Sequence, residues 1–454
     1  MPPSREHSPM RAYRARCDAA RRTVLSAYSI VGFISSGTYG RVYKARLRNP
    51  LAAAALNISS TSKASRNPAT NPTTTSSSSS EDPEDGEVVA IKKFKAEKEG
   101  EVSTYVGISQ SACREIMLNR ELEHVNVAAL REVILEDKSI FLVFEYAEHD
   151  FLQIIHHHYT NGQNPIPIPI MKSLMWQLIN GVTYLHENWV IHRDLKPANI
   201  LVTDTGHVKI GDLGLARIYS QPLQPLVSHD KIVVTIWYRS PDLLLGARHY
   251  NTSIDMWSVG CIFGELISLQ PMFKGNETKI EGPHHGGKKG STLPLQKDQV
   301  MKIFEILGTP NKFRWPSVVN LPEYHQIAKL QTHPNDLYGW YTSHQQRSTT
   351  GAGGGFDLLS ALLTYDPDRR ITARDALSHK WWNEEPKLNL NSFPTRYYPH
   401  RKVTHDDSDP KLSTAAAPPA IAGSGSRTVG SNKHAMSSAG SGMQHTRAKR
   451  LRGD

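Results

Sequence analysis

Cysteine is scarce in this chain: three residues among 454, Cys17, Cys113 and Cys261, far apart in sequence. An odd number at such spacings makes neither a disulfide framework nor a metal-ligand pattern, which fits a reducing compartment. Long apolar runs are missing too. No stretch reaches the roughly 18 apolar residues that a membrane-spanning helix needs, so no membrane span is expected. The opening "MPPSREHSPM" has no apolar core of a secretion signal, and no internal repeat is visible. The net charge of +10 raises nucleic-acid binding as an idea. Much of the excess, however, gathers at the ends, in Arg11, Arg14, Arg16, Arg21 and Arg22 and in "RAKRLR" at 447–452. A solvated basic surface is therefore expected in place of direct nucleic-acid contact. The terminal cluster has the composition of a nuclear import signal.

What is present is enough apolar material, 39% of the chain, for two lobes with real cores. The stretch 59–86, "SSTSKASRNPATNPTTTSSSSSEDPEDG", is rich in Ser, Thr and Pro and has too little apolar content to bury. It separates the strand-like runs "GRVYKARL" (40–47) and "EVVAIKKF" (87–94), so it reads as a disordered insertion at a hairpin tip. "EGPHHGGKKGST" (281–292) and "TGAGGG" (350–355) read as surface loops. Strand patterns dominate as far as "SIFLVFEY" (139–146), interrupted by one helical period at "QSACREIMLNREL" (110–122). Beyond Asp150 the chain turns helical, in "MKSLMWQLINGVTYLHEN" (171–188), "IDMWSVGCIFGELIS" (254–268) and "DQVMKIFEILG" (298–308). A small β-rich part followed by a larger α-rich part predicts an α+β fold of two lobes with a cleft between them.

The most specific stretch is "IHRDLKPANILV" (191–202). Phosphoryl transfer needs a carboxylate to orient the attacking hydroxyl and accept its proton, a cation to steady the moving group, and an oxygen to hold a metal ion. Asp194, Lys196 and Asn199 supply these types within six residues. In "VKIGDLGLAR" (208–217), 18 residues beyond Asp194, a strand delivers Asp212 into a glycine turn, where a carboxylate can reach Mg²⁺. "ISSGTYGRVYKA" (34–45) gives a hairpin with Gly37 and Gly40 for close backbone approach to phosphates, although Ser35 stands at the first glycine position. "VAIK" (89–92) offers Lys92 on a strand as a cation for phosphates, and Glu115 in "ACREI" is its natural ion-pair partner.

Together these residues match the protein-kinase signature set, and the chain resembles that family from about Tyr28 to Trp382, with "DLKPAN" in the serine/threonine form. The resemblance implies a bilobal kinase domain at 28–382. Flanking it would be a basic N-terminal segment (1–27) and a disordered basic tail (383–454), whose Ala, Ser and Gly bias begins at about Lys402. It implies ATP and Mg²⁺ as cofactors, Asp194 and Lys196 as catalytic residues, and Asn199 and Asp212 as metal ligands. For ATP it implies Ile34, Ser35, Ser36, Gly37, Thr38, Tyr39, Gly40, Arg41, Val42, Lys92, Glu145 and Ala147. Asp255 in "DMWSVGCI" resembles the buried acid that braces the catalytic loop.

"SQSACRE", "VVTIWYRSPDLLLG" and "LLTYDPDRRITARDAL" are similar to the cyclin-dependent kinases, and the first to the helix of the Mediator-associated member that pairs with cyclin C. That likeness implies a cyclin C-type partner held by helix 110–122, with Ala112 expected on the partner-binding element. It also implies Mediator kinase-module subunits as partners, the RNA polymerase II C-terminal domain and transcription factors as substrates, and action in the nucleus. Such kinases order their activation segment with a phosphothreonine set against arginines, here matching Arg114, Arg193 and Arg217. Asp230 stands at that position and brings about one negative charge against the 1.5 to 2 of a phosphate. Asp242 replaces the glutamate of the usual A-P-E and is expected to pair, one methylene shorter, with Arg370. A scaffold whose kinase fold mainly docks the cyclin and Mediator subunits is the alternative, against which Lys92, Asp194, Asn199 and Asp212 are all intact. A mitogen-activated kinase would carry T-x-Y in its activation segment, and "LVSHDKIVV" has none.

Deleting residues 59–86 is expected to leave melting temperature and basal activity close to those of the native chain. A large fall in melting temperature would show that the segment packs.

Overall fold

A computed structural model describes residues 22–37, 40–48, 86–94, 110–136, 139–219, 235–247, 249–278, 295–345, 355–393 and 398–404, together with Tyr13. Thr38, Tyr39, Asp230, the insertion up to residue 85 and the chain beyond 404 lie outside the described residues. The first lobe is an antiparallel sheet of β1 (Tyr28–Ser36), β2 (Gly40–Leu47), β3 (Val88–Phe94), β4 (Leu130–Glu136) and β5 (Ser139–Glu145), in the order β1-β2-β3-β5-β4. β2 pairs with β3 across the insertion, Gly40 against Phe94 and Arg46 against Val88. The hairpin read from sequence is therefore present.

Strand alternation gives this sheet two apolar faces. Tyr43, Ala45, Val89, Ile91, Phe141 and Val143 fill one. Phe94, Ile140 and Leu142 belong to the other, where they meet Ala112 of helix α1 (Gln110–Glu121). The sheet's core also takes in Val24 and Ala27. The Val24 amide donates to Glu136 Oε2 at 2.9 Å, and Thr23 caps the short helical turn Val24–Ala27. The lobe thus begins several residues before the expected start at Tyr28, because those small apolar residues close the end of its core.

The second lobe is built on helices α2 (Phe151–Thr160), α3 (Ile168–Glu187), α4 (Ser253–Ser268) and α5 (Lys297–Leu307). α4 is buried from Ser253 through Leu266, so it runs through the core and not along its surface. Three short-strand pairings shape the cleft: β6 (His149–Asp150) and β9 (Val208–Ile210) on either side of β8 (Ile200–Val202), and β7 (Val190–Ile191) with β10 (Arg217–Ile218). Of these strands, β7 and β9 pack on α3.

The main departure from the sequence reading is at the C-terminus. Residues 383–393 and 398–404, assigned to a disordered tail, pack on both lobes. Phe393 and Tyr398 are buried with their rings 5.0 Å apart, and the Tyr398 hydroxyl lies 2.9 Å from His158 Nε2. The buried Lys172 ammonium donates to the carbonyls of Trp381 (2.5 Å) and Glu384 (2.7 Å). Farther on, the Arg401 amide donates to the Glu148 carbonyl at 2.8 Å, and Thr404 and Phe33 exchange amide bonds of 2.8 and 2.7 Å. Gly32 makes that approach possible: a β-carbon there would stand 2.9 Å from the Thr404 carbonyl oxygen and 2.5 Å from Val403. Tyr398→Ala is expected to lower unfolding free energy by about 3 kcal/mol in urea titration, in the range for a buried aromatic. A neutral result would return this segment to the tail.

Candidate active site

The loop between β7 and β8 carries His192 to Asn199 and is held from below. Asp255, in the first turn of α4, accepts the backbone amides of His192 (2.8 Å) and Arg193 (2.9 Å) and the His186 ring at 3.0 Å. Arg193 sits at φ 68°, a left-handed conformation that disfavours side chains, and the bond to its own amide holds it there. Burial works against the Asp255 charge, but His186 and the backbone donors keep its carboxyl below the usual range. The buried His192 ring joins this loop to the next: its Nε2 lies 3.0 Å from the Gly211 carbonyl, and its Nδ1 accepts the Asp194 amide at 3.2 Å.

Asp194 is thereby turned into the cleft. Its Oδ2 accepts from Lys196 Nζ (2.8 Å) and Asn199 Nδ2 (3.1 Å), and the same Asn199 nitrogen bonds the Asp194 carbonyl at 2.8 Å. Oδ1 is buried and has no hydrogen-bond partner among the described residues. A buried acceptor left open is costly, and here it borders a cavity where a hydroxyl could satisfy it. Burial raises the Asp194 carboxyl above the usual range, against the pull of the Lys196 ammonium.

Above this loop three chain segments meet on one ammonium. Lys92 Nζ stands 2.8 and 2.7 Å from the two Glu115 oxygens and 2.8 Å from Asp212 Oδ1. Burial disfavours the Lys92 charge, yet the two carboxylates hold the ammonium above its ordinary range. Burial pushes Glu115 up to about 7 despite Lys92. Asp212 ends lower than usual because Lys92 outweighs its burial. The sequence pairing of Lys92 with Glu115 is thus present as geometry, and Asp212 joins it. Asp212 reaches this point through a left-handed backbone at φ 60°. Asp212 and Asn199 border the same cavity and offer the oxygen donors that a hard divalent cation takes.

The cavity measures about 340 Å³. Its roof includes Ser35, Ser36, Gly37, Gly40, Val42 and Lys92, as expected from sequence. Ile34 and Arg41 do not line it; Arg41 is the strand neighbour of the inward Gly40 and Val42, and β1 has a register shift between Phe33 and Ser35, beside Ile34. Glu145 lines it, but its carboxylate is taken by Lys209 Nζ at 2.9 Å and the Ala129 amide at 2.8 Å. Ala147 is also outside the lining. Its carbonyl accepts Arg401 Nη2 at 2.6 Å, and Arg401 lines the cavity in its place. Sequence reasoning missed Arg401, which lies 254 residues from Ala147. It also missed Ala90 and Leu201, apolar walls inside motifs already singled out, whose positions beside Lys92 and Asn199 were the available signal.

Of the arginines expected to receive an activation charge, Arg114 Nη1 donates to the Gly214 carbonyl (3.0 Å) and Arg193 Nε to the adjacent Leu215 carbonyl (2.7 Å). Arg217 follows two residues on, in β10. Arg114 and Arg193 thus meet on the turn after Asp212, and Arg217 is the first residue of the strand that follows it. Arg370 lies 3.5 Å from Asp242 and bonds the carbonyls of Thr364, Ser253 and Tyr365, so the shorter acid makes a long contact while the backbone holds the guanidinium.

Asp255→Asn would turn an amide donor toward one of the two backbone amides, which bond to different oxygens of the acid. It is expected to cost about 2 kcal/mol of stability at neutral pH. Because folding depresses the Asp255 carboxyl, its contribution is present above the unfolded value of 3.8 and is lost as pH falls. Thermal melts are therefore expected to show the variant's deficit at pH 7 shrinking below pH 3.8. A constant gap would assign the loss to packing.

The profile of the protein kinase domain matches residues 73–382. The match opens inside the segment between β2 and β3, although β1 and β2 belong to the same sheet. The chain is 49% identical over 413 residues to serine/threonine-protein kinase SSN3 of Yarrowia lipolytica, covering 90% of each protein. It is 50% identical over 402 residues to ssn3 of Aspergillus fumigatus, covering 85% of each. It is 46% identical over 492 residues to SSN3 of Mycosarcoma maydis, covering 90% of this chain and 67% of that one. With ATP and Mg²⁺ as its cofactors, the chain belongs to the protein kinase family, among its serine/threonine kinases.

Proposed function

We propose that the chain is the cyclin-dependent serine/threonine kinase of a Mediator kinase module, acting in the nucleus on transcription proteins, including the RNA polymerase II C-terminal domain. The observation that supports catalysis best is the open Oδ1 of Asp194, buried at a cavity that Lys92, Asp212 and Asn199 also border. Asp194 orients the substrate serine or threonine hydroxyl and accepts its proton. As that oxygen bonds the γ-phosphorus, the bond to the bridging oxygen of ADP breaks. Lys196, 2.8 Å from the base, balances charge on the incoming oxygen. Lys92, fixed between two carboxylates, positions the non-transferred phosphates. When bound between Asp212 and Asn199, Mg²⁺ would neutralise phosphate charge. Asp230, proposed as a permanent stand-in for a phosphothreonine, lies outside the described residues; the meeting of Arg114 and Arg193 on one turn supports that reading.

For the cyclin, α1 is the proposed docking element, since its position sets Glu115. Ala112 does not serve as the contact: it is fully buried against the sheet, so a charge there would disrupt the lobe itself. Met117 on the same helix is 64% exposed and is the better anchor.

Asp194→Asn is expected to lower turnover about a thousandfold with nucleotide affinity kept; near-normal turnover would end the assignment. Met117→Glu is expected to weaken capture of a cyclin C-type partner about tenfold with the melting temperature unchanged. Full capture by that variant would move the interface off α1.

A further inference from the structure

A second cluster of ligand-type side chains lies away from the reacting groups, where the C-terminal segment crosses the second lobe. His149 comes from β6, Asp204 from the turn after β8, and His400 from the C-terminal segment. His149 Nε2 and His400 Nε2 approach the same oxygen, Asp204 Oδ1, at 2.9 and 3.0 Å. The three ligand atoms all lie within 4.8 Å of one another. His149 is fully buried, and its other nitrogen, Nδ1, faces the Pro399 carbonyl at 3.1 Å.

That last contact determines the chemistry. A carbonyl only accepts, so Nδ1 carries the proton, and a neutral ring then has a bare lone pair on Nε2. Two lone pairs, one from nitrogen and one from carboxylate oxygen, would face each other at 2.9 Å in a part-buried place. A cation between them resolves the conflict. A carbonyl orienting the far nitrogen is also the usual support for a metal-bound imidazole. Two imidazoles and one carboxylate form a donor set suited to zinc. Bonds of about 2.0–2.1 Å place tetrahedral ligand atoms about 3.3 Å apart. The ring nitrogens need to retreat by only a few tenths of an ångström, and the half-exposed His400 can move.

We propose that His149, Asp204 and His400 form a zinc-type metal site that fastens the C-terminal segment to the second lobe. The site would also bear on the nucleotide cavity, because His400 is followed by Arg401, whose guanidinium lines that cavity and binds the Ala147 carbonyl. The test is calorimetric titration of the purified full chain, nucleotide-free, with zinc chloride. One equivalent is expected to bind, and His400→Ala and Asp204→Asn are each expected to weaken it at least about tenfold. Melting curves taken in chelator check that both variants fold. X-ray absorption at the zinc edge on the one-to-one complex of the native chain needs no variant, and is expected to give two imidazoles with at least one oxygen ligand. Hydrogen exchange at 398–404 is expected to slow when zinc is added. Absence of zinc binding, an affinity equal in native chain and variants, or a first shell without two imidazoles would overturn the site and leave a protonated ion cluster.

Discussion

The buried ammonium of Lys92 is the point on which the molecule turns. It belongs to a strand of the first lobe, yet its two carboxylate partners come from a helix and from the second lobe. Removing either acid leaves the ammonium with a single counter-charge in a place with little water, and removing the lysine leaves two acids facing each other. No one of the three is stable there alone, so the sheet, α1 and the Asp212 turn hold a common position. The cavity walls move with those elements. A partner that shifts α1 therefore shifts Glu115 and, through it, the cation over the cleft.

Asp255 does for the lower lobe what Lys92 does across the cleft. One carboxylate fixes two successive backbone amides and a ring, and this stiffens the stretch that presents Asp194. The two arrangements differ in kind. The upper one joins separate bodies through charge, whereas the lower one stores a strained backbone inside a rigid helix frame. The long Arg370–Asp242 contact shows that such frames tolerate a shorter acid when backbone carbonyls share the load.

Much of the site was legible in the sequence, for a physical reason. Asp194, Lys196 and Asn199 lie within six residues, so local backbone geometry alone brings them together. Lys92 and Glu115 were paired through their family motifs, and the structure joins them. What was not legible depends on contacts across hundreds of residues. Nothing near Ala147 announces that Arg401 covers its carbonyl. Ala112 was expected on the partner-binding element because the likeness singles out the helix without saying which of its faces the sheet covers. The packed segment after Trp382 did leave a trace: Phe393, Tyr397 and Tyr398 are aromatics of a kind that a disordered tail lacks. Its Ala- and Gly-rich continuation concealed them.

The paired amides of Phe33 and Thr404 have a mechanical consequence. The lobes are joined by the covalent link after β5 and again by the C-terminal segment, which meets α2 through Tyr398 and His158 on one side and β1 on the other. Two bodies joined at a single point can swivel about any axis. Joined at two, they behave as a door on two pins, free to rotate about the line through both and stiff against twisting. The cleft would then open and shut along one path, and nucleotide would enter and leave past the same edge each time.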